Sequence, residues 1–91
     1  MLGYAMNQTF SVFVVHHLHI HENGIECVKM IGVYESRPSA VAAVKRLGEQ
    51  PGFRDWPKII NPVSDDQESG FYIDEYRINE DHWTEGFVTM P

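Results

Sequence analysis

The stretch Phe10-Ser11-Val12-Phe13-Val14-Val15-His16-His17-Leu18-His19-Ile20 decides the fold. β-Branched and aromatic side chains dominate it, and neither Gly nor Pro interrupts it. Branched side chains lose rotamer freedom against a helical turn but pack well on a pleated surface, so the stretch favours a strand. Successive residues of a strand point to opposite faces. Val12, Val14, Leu18 and Ile20 are assigned to the core face. Phe13, Val15, His17, His19 and His21 then face water or a partner. His16 becomes the inward-pointing polar exception, which burial requires to be hydrogen-bonded.

Working outward, the strand leaves through His21-Glu22-Asn23-Gly24. Asn-Gly is a strong hairpin signal because both residues tolerate positive φ, and the run from Cys27 to Tyr34 reads as the returning strand. Ser36 can cap a helix whose first turn accepts Pro38 without losing an intrahelical hydrogen bond. Ala40, Val41, Val44 and Leu47 recur on one face of that helix, and Gly48 and Pro51 end it. Residues 51–69 form a long connection anchored by Phe53, Trp56, Ile59 and Ile60, with Asp65 to Ser69 expected to be mobile. Residues 70–78 form a third strand whose alternation breaks: Phe71 and Ile73 share one parity, Tyr76 and Ile78 the other. A bulge near Asp74-Glu75 would bring all four to the core face. After a turn at Asn79-Glu80-Asp81, Phe87 and Val88 are expected to pair as a fourth strand within a short segment from Trp83 to Met90.

The expected architecture is therefore α+β: a small antiparallel sheet of three or four strands, in the chain order β-β-α-β-β, with one helix packed on one face. Residues 1–9 are expected to be a flexible N-terminal extension and residues 10–91 a single domain. The chain has 91 residues, 43% of them hydrophobic and 22% charged, which suits one small globular unit rather than a disordered or membrane-spanning chain.

The net charge of −6 is unevenly placed. Residues 1–60 carry five acids against six bases, a balance of +1. Residues 61–91 carry eight acids against Arg77 alone, a balance of −7. Such a terminus repels phosphates and anionic lipid, which argues against direct contact with nucleic acid or membrane and for a basic protein partner. The lone Cys27 cannot form an intramolecular disulfide, and its apolar neighbours Val28, Met30 and Ile31 point to a buried thiol. With no secretory leader or membrane-length apolar run in the sequence, the expected location is the cytoplasm.

Several blocks carry a resemblance: "VKMIGVYESRPSAVAAVKRL" from Val28 to Leu47, "PGF" at 51–53, and "GFYIDEYRINEDHWTEGF" from Gly70 to Phe87. Ile31-Gly32-Val33-Tyr34 and Trp83-Thr84-Glu85-Gly86-Phe87 are its most specific parts. The chain resembles, over about residues 12–89, a family of short uncharacterised bacterial proteins. The resemblance implies a family and no activity. Comparable small acidic proteins look like antidotes encoded beside bacterial toxins, an analogy of function rather than of chemistry. The connection from Lys58 to Ser69 is longer than that family's usual one.

Two groups of residues invite a functional reading. His17, His19 and His21 lie two apart on one strand face, where neighbouring imidazoles can close on one Zn²⁺. They are the candidate metal ligands, beside the plainer reading of a hydrated strand face. The second group is Asp74, Glu75, Tyr76, Glu80, Asp81, Trp83 and Glu85, in which carboxylates steer a basic partner and aromatic rings anchor it. No phosphate loop, nucleophile motif or zinc-finger spacing is present. The leading expectation is a non-enzymatic interaction module, an inhibitor or immunity-type antagonist of a basic toxin, nuclease or nucleic-acid-binding complex. A metal-binding or metal-sensing protein is the alternative. A homodimeric scaffold, in which the first strand or the aromatic face pairs with its twin, is the third.

Overall fold

A computed structural model describes residues 10–65 and 68–86. Its elements are β1 (Ser11–Ile20), β2 (Glu26–Tyr34), α1 (Arg37–Leu47) and β3 (Gly70–Arg77). The three strands form one sheet in the order β2-β1-β3, with β1 central and antiparallel to both neighbours. The protein is thus a small α+β structure with one helix. The expected fourth strand at Phe87 and Val88 lies outside the described residues, as does the N-terminal extension of residues 1–9. Trp83 to Gly86 form no strand.

The hairpin and the helix follow from local chemistry. Gly24 takes φ +86°, where an L side chain is disfavoured, and its N–H donates to the His21 carbonyl at 2.8 Å. Asn23 Oδ1 accepts from Ile25 N–H at 3.0 Å, completing the turn. Ser36 is extended and its hydroxyl accepts from Ser39 N–H at 3.2 Å, satisfying one of the free donors that open α1. Pro38 occupies the first turn, and Gly48 N–H closes the helix on the Val44 carbonyl at 2.7 Å.

Packing reverses the face assignment made from alternation. Val15, Ala40, Val44 and Phe71 form the buried centre, with Phe13, Ile31, Tyr34, Leu47, Phe53 and Ile73 packed around them. The helix therefore covers the odd-numbered face of β1, and Val12, Val14, Leu18 and Ile20 stand on the other. Both faces of β1 are apolar, so alternation alone could not choose between them. Partners on β3 decide: Phe71 lies opposite His17 and Ile73 opposite Val15, placing the bulkiest apolar pair beside Val15.

The bulge is in β2 rather than near Asp74-Glu75. Pairing of β1 with β3 runs unbroken from Ser11↔Arg77 to Leu18↔Gly70, so Tyr76 keeps the parity opposite to Phe71 and Ile73. Between β1 and β2 the register shifts: Val15 pairs with Gly32 but His16 with Met30, leaving Ile31 as the extra residue. That insertion turns Ile31 onto the core while Met30 and Val33 remain exposed. The expected β3 bulge assumed that every large apolar residue belonged to one face, and this sheet is apolar on two.

The connection after α1 is pinned at its far end. Phe71 N–H donates to the Lys58 carbonyl at 2.9 Å and Ile60 N–H to the Phe71 carbonyl at 2.7 Å, laying Ile59 alongside Phe71 as a short parallel bridge. Gly70 permits this approach, because a Cβ there would stand 2.7 Å from the Lys58 carbonyl oxygen and 2.8 Å from Ile60 Cγ2. Ile60 is buried and Phe53 half-buried, whereas Trp56 and Ile59 are exposed. Ser69, expected in a mobile stretch, is buried, and its hydroxyl accepts from Ile20 N–H at 2.9 Å. Among the described residues no helix is long and apolar enough to cross a membrane.

Candidate functional site

The histidines of β1 divide by parity. His17 is 4% exposed and stands edge-on to Phe53 and Phe71, with ring centroids 4.8 and 4.6 Å away. Its Nε2 lies 3.1 Å from the Trp56 carbonyl, an acceptor only, so Nε2–H donates. Burial lowers the His17 pKa below its ordinary value; the Trp56 carbonyl opposes this, and the charges of His19 and Lys29 reinforce it. His17 is thus a core histidine that ties the 51–57 loop to the sheet.

His19 and His21 lie further along the same face, their rings 4.4 Å apart, with Trp56 4.5 Å from His19. His21 Nε2 lies 3.4 Å from Cys27 Sγ across the hairpin. Together with His17, Lys29 and Phe53 they line a groove of about 320 Å³. Cys27 is exposed rather than buried, because β2 is an edge strand and Cys27 lies near its hairpin end, where both flanking residues are exposed too. Among the described residues, no group of three or more His, Cys, Asp or Glu converges where a metal ion could be held. His17, His19 and His21 share a face, as strand geometry requires, but the His17 Nε2 is engaged with Trp56. Among the described residues, the thiol–imidazole contact of Cys27 and His21 likewise has no third group hydrogen-bonded to the ring, which a nucleophilic site would use to orient its base.

His16 points to the face away from the helix and stacks on Tyr72 at 5.0 Å and 17°. The hydrogen bond expected of it is not made at Nδ1, which is buried with no partner among the described residues. Burial raises the Tyr72 pKa, and Asp74, Tyr76 and Glu26 add to the rise.

The acidic and aromatic residues do not form one continuous surface. Asp74 pairs with Val14 and Glu75 with Phe13, so their side chains leave opposite faces of β3. From Tyr76 onward the residues gather in an exposed turn. The Tyr76 and His82 rings meet edge to face at 5.1 Å, and His82 Nε2 donates to the Arg77 carbonyl at 3.1 Å. Arg77 Nη1 reaches Glu80 Oε2 at 3.5 Å, and Asn79 takes φ +64° to turn the chain. Trp83 is 87% exposed, with Glu80, Asp81 and Glu85 exposed around it in sequence. The expected set is therefore split: Tyr76, Glu80, Asp81, Trp83 and Glu85 belong to this arm, Asp74 to the open sheet face and Glu75 to the helix side. Sequence reasoning missed His82 as the clasp of the arm, and Val28, Met30 and Val33 as an exposed apolar row. Val28 and Met30 alternate along β2, but Val33 has the opposite parity and joins the row only through the extra residue Ile31, so alternation marked part of it.

These features define a small α+β domain with an acidic, tryptophan-bearing arm and a half-covered sheet. Residues 10–87 match the family described as Domain of unknown function (DUF7336), and the chain belongs to that family. No curated protein and no solved structure matches it.

Proposed function

We propose that the protein is a non-enzymatic interaction module whose acidic arm docks a basic protein and antagonises it, in the manner of an inhibitor or immunity-type protein. The observation that carries this reading is Trp83, 87% exposed on an arm that also presents Glu80, Asp81 and Glu85. Leaving so large an apolar ring in water wastes the burial that a core position would give it, and tryptophan is the side chain most enriched at the energetic centres of interfaces. The carboxylates suit it to a cationic partner and raise the rate of encounter. The clasp of His82 on Arg77 holds the turn in shape, which lowers the ordering cost of binding.

Capture on immobilised full-length chain from a lysate of the native host, at low and at moderate salt, with mass spectrometry of what is retained, tests this. The expected result is a basic protein recovered at low salt and reduced at moderate salt. Recovery of nothing but further copies of the chain in both conditions counts against it.

A further inference from the structure

We infer that the face of the sheet turned away from α1 is the interface of a homodimer in which two copies pack sheet against sheet. An antiparallel sheet with one wet face alternates apolar and polar residues, and this one does not. Of the eleven large apolar side chains that stand exposed among the described residues, six share the parity of this face: Phe10, Val28, Met30, Val33, Tyr76 and Ile78. Met30 is 61% exposed, and Val28 and Val33 51% each. Among the described residues, Ile60 overlies Gly70 at one end, beside the buried Leu18; Val12, Val14, His16, Ile20 and Tyr72 are half-buried, and the edge strands carry the exposed Glu26 and Asp74 beside the apolar side chains.

Area and chemistry select a second copy as the occupant. Three strands about 4.8 Å apart and up to ten residues long give a footprint of roughly 400 Å², and, roughened by side chains, an accessible area on the order of 600–800 Å² per copy. That reaches the roughly 800 Å² per partner of a stable interface, and the sheet packing of a sandwich needs no deeper groove. The helix side supplies few fully buried apolar side chains, so the domain gains from any cover that is present whenever it folds. A second copy accompanies every chain that is made, and mass action sets the fraction that pairs.

Sedimentation equilibrium of the full chain from about 1 to about 100 µM, where mass action resolves a stable dimer, tests this. The expected mass is twice that of the chain. Met30→Glu and, separately, Val33→Glu replace side chains that are exposed in the monomer, and each is expected to weaken association at least about a hundredfold, because each copy would bring a further carboxylate into the apolar row of β2, in addition to Asp74 at the β3 edge. Ala42→Glu, on the exposed side of α1, is expected to leave it unchanged. Circular dichroism confirms that each variant is folded. A wild-type chain that stays monomeric throughout overturns the inference, and so does a dimer that survives both sheet-face substitutions. The acidic arm shares only Tyr76 with this face; Met30 and Val33 lie on β2, so their substitution leaves Trp83 and its carboxylates to be tested by the arm's own partner.

Discussion

His17 provides a stability test that can be worked through from its surroundings. Its ring is 4% exposed, donates to the Trp56 carbonyl at 3.1 Å and meets Phe53 and Phe71 edge-on. His17→Ala removes a hydrogen bond that contributes about 1 kcal/mol and leaves a hole between the two phenylalanines, for a total loss of about 2–4 kcal/mol. His17→Phe keeps most of the volume and loses chiefly the bond, about 1 kcal/mol. The sign of the pH dependence follows from burial. Because the folded pKa lies below the ordinary value of 6.5, the unfolded chain binds the proton first as pH falls. The contribution of His17 is whole above pH 6.5, declines below it and levels off beneath the lowered folded pKa. Urea unfolding of wild type and His17→Phe, followed by circular dichroism between pH 8 and about pH 4.5, isolates this effect, since every other histidine is common to both. The stability advantage of wild type should shrink as the solution is acidified. An advantage that stays constant or grows would refute the placement of His17 as a buried neutral donor.

Three further outcomes follow from single contacts. Ser36→Ala removes the acceptor of Ser39 N–H and should cost about 1 kcal/mol in thermal or urea unfolding. Gly70→Ala forces a Cβ against the Lys58 carbonyl and Ile60, and should cost about 1–3 kcal/mol while speeding hydrogen exchange at the Ile60 and Phe71 amides. Trp83→Ala should change stability by no more than about 0.5 kcal/mol, because its ring is already in water.

Local signals in the sequence carried far, and long-range ones failed where two answers were equally apolar. Asn23-Gly24, Ser36 with Pro38, and Gly48 each name a backbone event that short-range chemistry enforces, and each stands where the sequence places it. The faces of β1 were not legible. Phe13 and Val15 compete with Val12 and Val14 on equal terms, and the choice is made by Phe71 and Ile73, more than fifty residues away. The same two-sided character hid the Ile31 bulge and suggested one in β3 instead. The histidines shared this fate: once the helix covers the odd face, His17 becomes core and His16 faces outward. Composition made the acidic arm visible as charge. Its division, with Asp74 and Glu75 on opposite faces and the Glu80–Glu85 turn apart from both, required the register.

Calorimetric titration of the captured basic partner with wild-type chain and with Trp83→Ala measures what the arm contributes to binding. If Trp83 anchors the contact, its truncation costs at least about 2 kcal/mol, close to a thirtyfold loss of affinity. Equal affinity of the two chains for that partner would contradict the docking role assigned to the arm.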